Sequence, residues 1–358
     1  MSFERENIAQ ILGYLPGEQP SSSDVIKLNT NENPYPASPL VAETLSKIEV
    51  DELRRYPSAL ADEFCGIASR VHNVNPENII PTNGGDELLR LILTTFAGEN
   101  DTLAITSPSY SLYPVLANIQ GCSLTEIPLD KDLNYPNELA ELLVNSSAKI
   151  CFLVNPHAPT GGLLPVKFID NLASKFKGIL VVDEAYSDFV DPALGYDCIP
   201  LINKHKNLLL LRTLSKGYSL AGLRFGYGLG DSELISPIKY KTRDSYNTDY
   251  ISQKLACAAL SSREYAMSTW EKIRKSRKSL SSKLEQLGLK FWPSQTNFIL
   301  VQMPDDPGAE YVYKKLKIGN ILVRHFDVDN LNDKIRITIG SESENKRLIS
   351  SLINILKV

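Results

Sequence analysis

Lys216 lies in TLSKGYSLAGLRFGYG, Thr213 to Gly228, where the only other charge is Arg224. A lysine amine becomes a nucleophile once it loses its proton, and burial or a neighbouring cation brings that about. Arg224 can be that cation, or can hold an anion as a planar fork of donors. Thr213 and Ser215 alternate along an extended run, so their hydroxyls can point to one side and cradle a phosphate beside the lysine. The same residues also read as a strand end followed by a glycine-containing turn. The segment alone does not separate the two readings.

Three further stretches carry chemistry-bearing residues. In VVDEAYSDF, Asp183 follows the apolar run ILVV, at the carboxyl end of an expected buried strand, where ligands of parallel sheets gather. Tyr186 can project into the same crevice; the plainer reading has Asp183 capping a helix or pairing with an arginine. In VNPHAPTGG, prolines and glycines fix a loop that presents Asn155 or Thr160, or form a surface turn. In TNGGDELLR, Gly84 and Gly85 open a helix whose free N–H groups suit an anion. That loop lacks both the dinucleotide glycine fingerprint and a Walker-type GK[ST].

The elements that must position these residues follow from hydrophobic patterning. NIIPTN, DTLAIT, SLTEIPL, AKICFLVNP, GILVVDEAY and NLLLLRTLS read as strands. Several are almost continuously apolar, as in strands buried on both faces of a mostly parallel sheet. GGDELLRLILTTF has helical spacing, and the alternation of strand and helix predicts an α/β large domain over 41–245, flanked by helices. Residues 246–358 read as a smaller α/β C-terminal domain. It has a long polar helix from SREYAMSTW to KLEQLG, strands in NFILVQM, NILVRHF and KIRITIG, and a closing helix, ENKRLISSLINILKV. Residues 1–40, rich in Pro, Asn and Ser, read as an N-terminal arm.

The bulk composition is that of an ordinary globular chain: 358 residues, 43% hydrophobic, 22% charged, net charge -4. The charge gives no reason to expect nucleic acid or an anionic membrane as partner. The N-terminus lacks an apolar signal core and no run approaches the ~20 apolar residues of a membrane helix. Five scattered cysteines without CxxC spacing predict a reduced, cytoplasmic setting without structural zinc. The four dispersed histidines form no visible metal cluster.

Taken together, a lysine, a strand-end aspartate, an asparagine-bearing loop and a glycine anion site meet the requirements of pyridoxal phosphate. Its aldehyde needs a Schiff-base lysine, its ring nitrogen a carboxylate, and its phosphate a cluster of N–H, hydroxyl and guanidinium donors. The order and spacing of TNGGDE, SPSY, NPHAPTG, DEAY, TLSKGYSLAGLRFGY and RITIG resemble the fold-type I pyridoxal-phosphate aminotransferases over nearly the whole chain. Within them, LNTNENPYP, RYPS, SYNTDYISQ and SESENKRLI most resemble the histidinol-phosphate aminotransferases.

That resemblance implies roles residue by residue. Lys216 would form the Schiff base and shuttle the proton, Asp183 would pair with the pyridine nitrogen, and Tyr186 would bond the ring oxygen O3′. Tyr110 would stack on the ring, while Gly84, Gly85, Thr213, Ser215 and Arg224 would hold the phosphate. Tyr56 would reach the cofactor phosphate of a neighbouring subunit, which implies a homodimer with shared sites. Arg336 would bind the glutamate carboxylate, Arg324 the substrate phosphate, and Tyr14 and Asn33 would close over the substrate. One position departs from the pattern: Ala158 stands where the family has an asparagine contacting O3′, and Asn155 is expected to replace it, with His157, or Tyr186 acting alone, as the alternatives.

The implied reaction is transamination between histidinol phosphate and 2-oxoglutarate in histidine synthesis. An aromatic or broad-range aminotransferase is the nearest rival. A threonine-phosphate decarboxylase on the same scaffold would break the Cα–carboxylate bond instead. A cofactor-sensing transcription regulator would need an added DNA-binding region, for which the short arm leaves no room.

Overall fold

The structure, a computed structural model, describes residues 3–20, 22 and 24–357. Its centre is a seven-stranded sheet made of β2 (Ile79–Thr82), β3 (Thr102–Ser107), β4 (Ser123–Pro128), β5 (Ile150–Val154), β6 (Ile179–Asp183), β7 (Leu208–Thr213) and β8 (Gly226–Gly230). The order is β2-β8-β7-β6-β5-β3-β4. The run from β7 to β4 is parallel, whereas β8 is antiparallel to both its neighbours. The expected mostly parallel sheet is therefore present.

Side-chain alternation divides two cores between the faces of this sheet. Cys151, Leu153, Leu180, Val182, Leu208 and Leu210 enter one core. Ile150, Phe152, Val154, Val181, Leu209 and Leu211 enter the other. Both faces are covered by helices, so each strand reads as an unbroken apolar run. Each fully buried aliphatic side chain contributes about 1.5–3 kcal/mol. The period of two also places Asp183 on the face of Val181, with Val154 and Leu211 as its direct cross-strand neighbours.

The strand β8 was not expected from the sequence, because glycines at every second position of GYGLG leave little strand signal. Its glycines serve close packing. A Cβ on Gly226 would lie 2.8 Å from the carbonyl carbon of Gly84 and 2.9 Å from the nitrogen of Gly85. The start of the helix Gly84–Phe96 thus rests directly on β8.

The C-terminal part, read from the sequence as a smaller domain, holds a three-stranded antiparallel sheet, β11 (Arg324–His325), β12 (Lys334–Thr338) and β9 (Phe298–Gln302). The helices Arg263–Gln286, Ala309–Ile318 and Glu342–Leu356 pack around it. The last starts on a capping box between Ser341 and Glu344. NILVRHF, expected as one strand, is split between β10 (Ile321–Leu322) and β11, which belong to different sheets. The partner of β10 is β1 (Ile26–Lys27), in parallel pairing. The stretch read as an arm is thus partly built into the smaller domain, and the Leu28 carbonyl accepts from the Thr338 N–H.

Candidate active site

The carboxyl ends of β5, β6 and β7 open into a cavity of ≈ 210 Å³. Of the residues singled out in the sequence, Asp183, Tyr186, Thr213, Ser215, Lys216 and Arg224 line it, as do Gly85 and Tyr110. The arm adds Tyr14, and the smaller domain adds Arg324 and Arg336. Gly84 stands just behind, at φ +77°, where an added Cβ would lie 2.8 Å from Nη2 of Arg224.

Lys216 lies half-buried in the cavity with Nζ donating to the Thr30 carbonyl at 2.9 Å. Burial, followed by the positive charge of Arg336, brings its amine down to about 8; Arg224 adds a smaller push in the same direction. The principal neighbouring cation is therefore Arg336, from β12, and not Arg224 from the same segment.

Asp183 is buried at the end of β6. Burial pushes its carboxyl up to about 6, opposed by hydrogen bonds from the Tyr113 hydroxyl and the Ala185 N–H. Those bonds measure 2.8 Å and 3.1 Å. Among the described residues no cation forms an ion pair with Asp183, so a buried carboxylate faces the cavity with its charge uncompensated. Tyr113 is thus a direct partner of Asp183. Its signal was its place three residues after Tyr110 at the start of a helix.

At the other end, Thr213 Oγ1 and Ser215 Oγ are 2.9 Å apart, and Arg224 reaches Asp86 at 3.3 Å. Asp86 also accepts from the Tyr110 hydroxyl at 3.2 Å. This acidic residue, inside the quoted GGDE motif, was not singled out; it holds both Arg224 and Tyr110 in place. Tyr110 stands edge-on to Tyr14, with ring centroids 5.8 Å apart.

Arg324 and Arg336 are directly opposed in the β11–β12 register. Arg336 donates to the Asn29 carbonyl at 3.3 Å, while its buried Nε has no partner among the described residues. Burial lowers its affinity for a proton, and Arg324 adds to the effect. Such a pair calls for anionic ligand groups.

The expectations for Asn155, His157 and Asn33 are corrected. Asn155 does not face the cavity: Nδ2 donates to the Leu164 carbonyl and the Tyr196 hydroxyl, and Oδ1 accepts from the Leu164 N–H. Its three bonds tie the loop to the buried Tyr196–Glu184–Arg212 network behind the sheet. His157 is spent likewise on Thr160 and the Pro108 carbonyl, so neither residue replaces the amide missing at Ala158. Asn33 does not line the cavity either; it bonds to Gly217, Thr269 and the Tyr35 N–H. Asn31, two residues earlier, lines the cavity and donates to the Tyr186 hydroxyl at 2.9 Å. Tyr56 is 80% exposed, stacked on Tyr246 at 4.4 Å, and is not brought to this chain's own cavity.

The residue set fits pyridoxal phosphate. The uncompensated Asp183 suits a protonated ring nitrogen, and the lowered Lys216 amine suits an aldehyde. The glycine helix start with Arg224, Thr213 and Ser215 suits a phosphate. Among the described residues no helix is long and apolar enough to cross a membrane.

Comparison with known proteins agrees with this geometry. The chain is 39% identical over 357 residues to histidinol-phosphate aminotransferase 1 of Trichormus variabilis, covering 99% of both chains. It is 40% identical over 349 residues to the histidinol-phosphate aminotransferase of Citrifermentans bemidjiense, covering 97% of each. The fold matches the crystal structure of histidinol-phosphate aminotransferase from Sinorhizobium meliloti in complex with pyridoxal-5'-phosphate. That match has TM-score 0.88 and 24% identity, over 100% of this chain and 98% of that one. Residues 23–352 match the family model for aminotransferase class I and II, and the chain belongs to that family.

Proposed function

We propose that this chain exchanges an amino group between histidinol phosphate and 2-oxoglutarate, forming imidazole-acetol phosphate and glutamate in histidine synthesis. Its cofactor is pyridoxal phosphate, held through Lys216. Full-length relatives bear the name of this activity. The observation in the molecule that carries the reading is the opposed Arg324–Arg336 pair facing Lys216 across one cavity. A site that must take a dicarboxylate in one half-reaction and a phosphate ester in the other needs fixed guanidinium forks able to bind either anion.

Bound pyridoxal phosphate supplies an aldehyde for the amino group and a ring that accepts the electrons released at the substrate Cα. Asp183 keeps the ring nitrogen protonated, and Tyr113 keeps Asp183 charged and aimed. Lys216 Nζ, poised near neutral pH, takes the Cα proton and returns it. Arg336 orients the carboxylate, Arg324 assists with the phosphate, and Tyr14 closes the outer side.

The assembly proposed is a homodimer with shared sites, in the cytoplasm. Tyr56, Tyr246 and Val50 are exposed by 80%, 46% and 82%, which suits a surface covered by a second copy. In that dimer Tyr56 reaches the partner's phosphate site. Sedimentation should give twice the chain mass, and Tyr56→Phe should weaken cofactor retention without changing that mass.

The deciding experiment is a coupled assay of the purified chain with pyridoxal phosphate, histidinol phosphate and 2-oxoglutarate. Stoichiometric glutamate is expected. Faster turnover of aromatic amino acids would favour the broad-range reading, and carbon dioxide release from threonine phosphate without glutamate would replace transamination by decarboxylation.

A further inference from the structure

Consecutive residues of the N-terminal stretch each meet a different side chain of the cavity. The Asn29 carbonyl accepts from Arg336 at 3.3 Å and the Thr30 carbonyl from Lys216 at 2.9 Å, while Nδ2 of Asn31 donates to the Tyr186 hydroxyl at 2.9 Å. The Asn31 amide is not free to turn over. The Thr338 hydroxyl accepts from the Asn31 backbone N–H at 3.0 Å, so its own proton goes to Asn31 Oδ1, 3.2 Å away. Nδ2 is thereby left facing Tyr186. Asn297 holds the Asn31 carbonyl at 2.9 Å. Asn31 is 1% exposed, at φ +56°, in the left-handed region where asparagine is one of the few tolerated side chains.

A phenol has one proton to donate and lone pairs with which to accept. Asn31 occupies the Tyr186 oxygen as an acceptor, and among the described residues that hydroxyl donates to no protein group. The charged or titratable groups facing it are Arg336 from β12, Asp183 from β6, Tyr14 from the arm, and Tyr110 and Tyr113 around the start of the helix after β3. We propose that Asn31 is a positioning residue that aims the Tyr186 hydroxyl proton at the ring oxygen of bound pyridoxal phosphate, through the relay Thr338–Asn31–Tyr186. The relay makes the arm and the smaller domain part of the cofactor site. It rests on the cofactor reading above.

A donor to the ring oxygen stabilises the deprotonated lysine–cofactor linkage more than the protonated one, in which the linkage's own proton already offsets the oxygen's charge. Loss of the donor therefore raises the pH at which the bound cofactor's visible band titrates. Asn31→Gly keeps the left-handed backbone and removes the donor. Asn31→Asp, nearly isosteric, presents an acceptor that draws the Tyr186 proton away, and it keeps the test decisive if glycine costs the fold. In the holoenzyme the band should titrate about half a unit higher in Asn31→Gly and about one unit higher in Asn31→Asp. Both shifts should vanish in a Tyr186→Phe background. Unshifted bands in the folded variants, or equal shifts with Phe at 186, overturn the proposal, because Asn31 would then act by packing or through another group. A wild-type protein without a Lys216-dependent band overturns the cofactor reading itself, and the relay with it.

Discussion

The two walls of the active site are built differently. Asp183 ends β6 and Thr213 ends β7, strands in the interior of the seven-stranded sheet, paired on both sides and almost wholly buried. Arg324 lies on β11, a strand of two residues at the edge of a three-stranded sheet, and Asn29–Asn31 follow the two-residue β1. A strand locked by two neighbours cannot slip without turning its side chains to the wrong face. Short edge strands with few buried contacts open at lower cost. The cofactor wall is therefore the more rigid one; opposite it Arg324 sits on an edge strand able to adjust, while Arg336 stays on β12, paired on both sides. One lysine can then serve ligands of different shape, with Arg336 fixed and the Arg324 side adjusting to the ligand.

Replacing a group on the fixed wall should cost most. Lys216→Ala removes both the covalent anchor and the proton carrier, so turnover should fall by about 10⁴-fold or more. The visible cofactor band should be lost with it, while the melting temperature of the protein without cofactor stays close to that of the wild type. Residual turnover within about tenfold of wild type would contradict the assignment of Lys216.

The close approach behind the phosphate end gives the next largest effect. Gly226→Ala drives a methyl into the Gly84–Gly85 backbone and should destabilise the fold by about 2–3 kcal/mol, read as a lower urea midpoint. Gly222→Ala, in the same motif but with nothing within 4 Å of its Cβ, should stay within about 0.5 kcal/mol. Equal effects would break the contrast between the buried strand and its loop.

The opposite wall should respond in binding. Arg336→Ala should raise KM for 2-oxoglutarate by about 30-fold, the worth of a bidentate charged contact. Arg324→Ala should act more weakly, and mainly on the phosphate ester. Identical KM changes for both substrates in both variants would mean that the pair acts as one undivided anion site.

The smallest effect is a pH profile. A lysine held near 8 is mostly neutral above that value and protonated below it. Labelling of Lys216 in the cofactor-free protein by pyridoxal, trapped with borohydride, should rise about tenfold per pH unit up to about 8 and then level. Arg336→Ala removes the nearest strong cation and should move that break upward. The sign for stability is the reverse of an ordinary lysine pairing: folding disfavours the proton, so this group's penalty eases as pH rises through 8 toward the unfolded value of 10.5.

Much of the cofactor wall was legible because burial on two faces leaves a local trace. ILVVD and LLLLRT announce interior strands, and a carboxylate or lysine at the end of such a run is conspicuous. The glycine strand β8 left no such trace, since its role is to let Gly84 and Gly85 come close and its side chains say nothing of a strand. NILVRHF read as one strand because its apolar period does not reveal that Ile321–Leu322 and Arg324–His325 pair in different sheets. Asn155 was expected at O3′ by its proximity to Ala158, yet its amide is consumed by Leu164 and Tyr196. Asn33 was expected over the substrate, yet Asn31 is the asparagine that lines the cavity, because neighbouring asparagines in a loop differ only in what each meets from distant segments.

The amino-acid order by itself determined the α/β sheet, the period that sends alternate side chains to its two cores, and the lysine, aspartate and glycine turns at the strand ends. Those features depend on residues adjacent in the chain, so hydrophobic period and turn chemistry encode them. Only the tertiary structure decided that Arg336 is the principal cation beside Lys216, that Tyr113 holds Asp183, and that Asn31 faces Tyr186. Each is a contact between segments far apart in the chain, where a few ångströms of packing settle which polar group meets which.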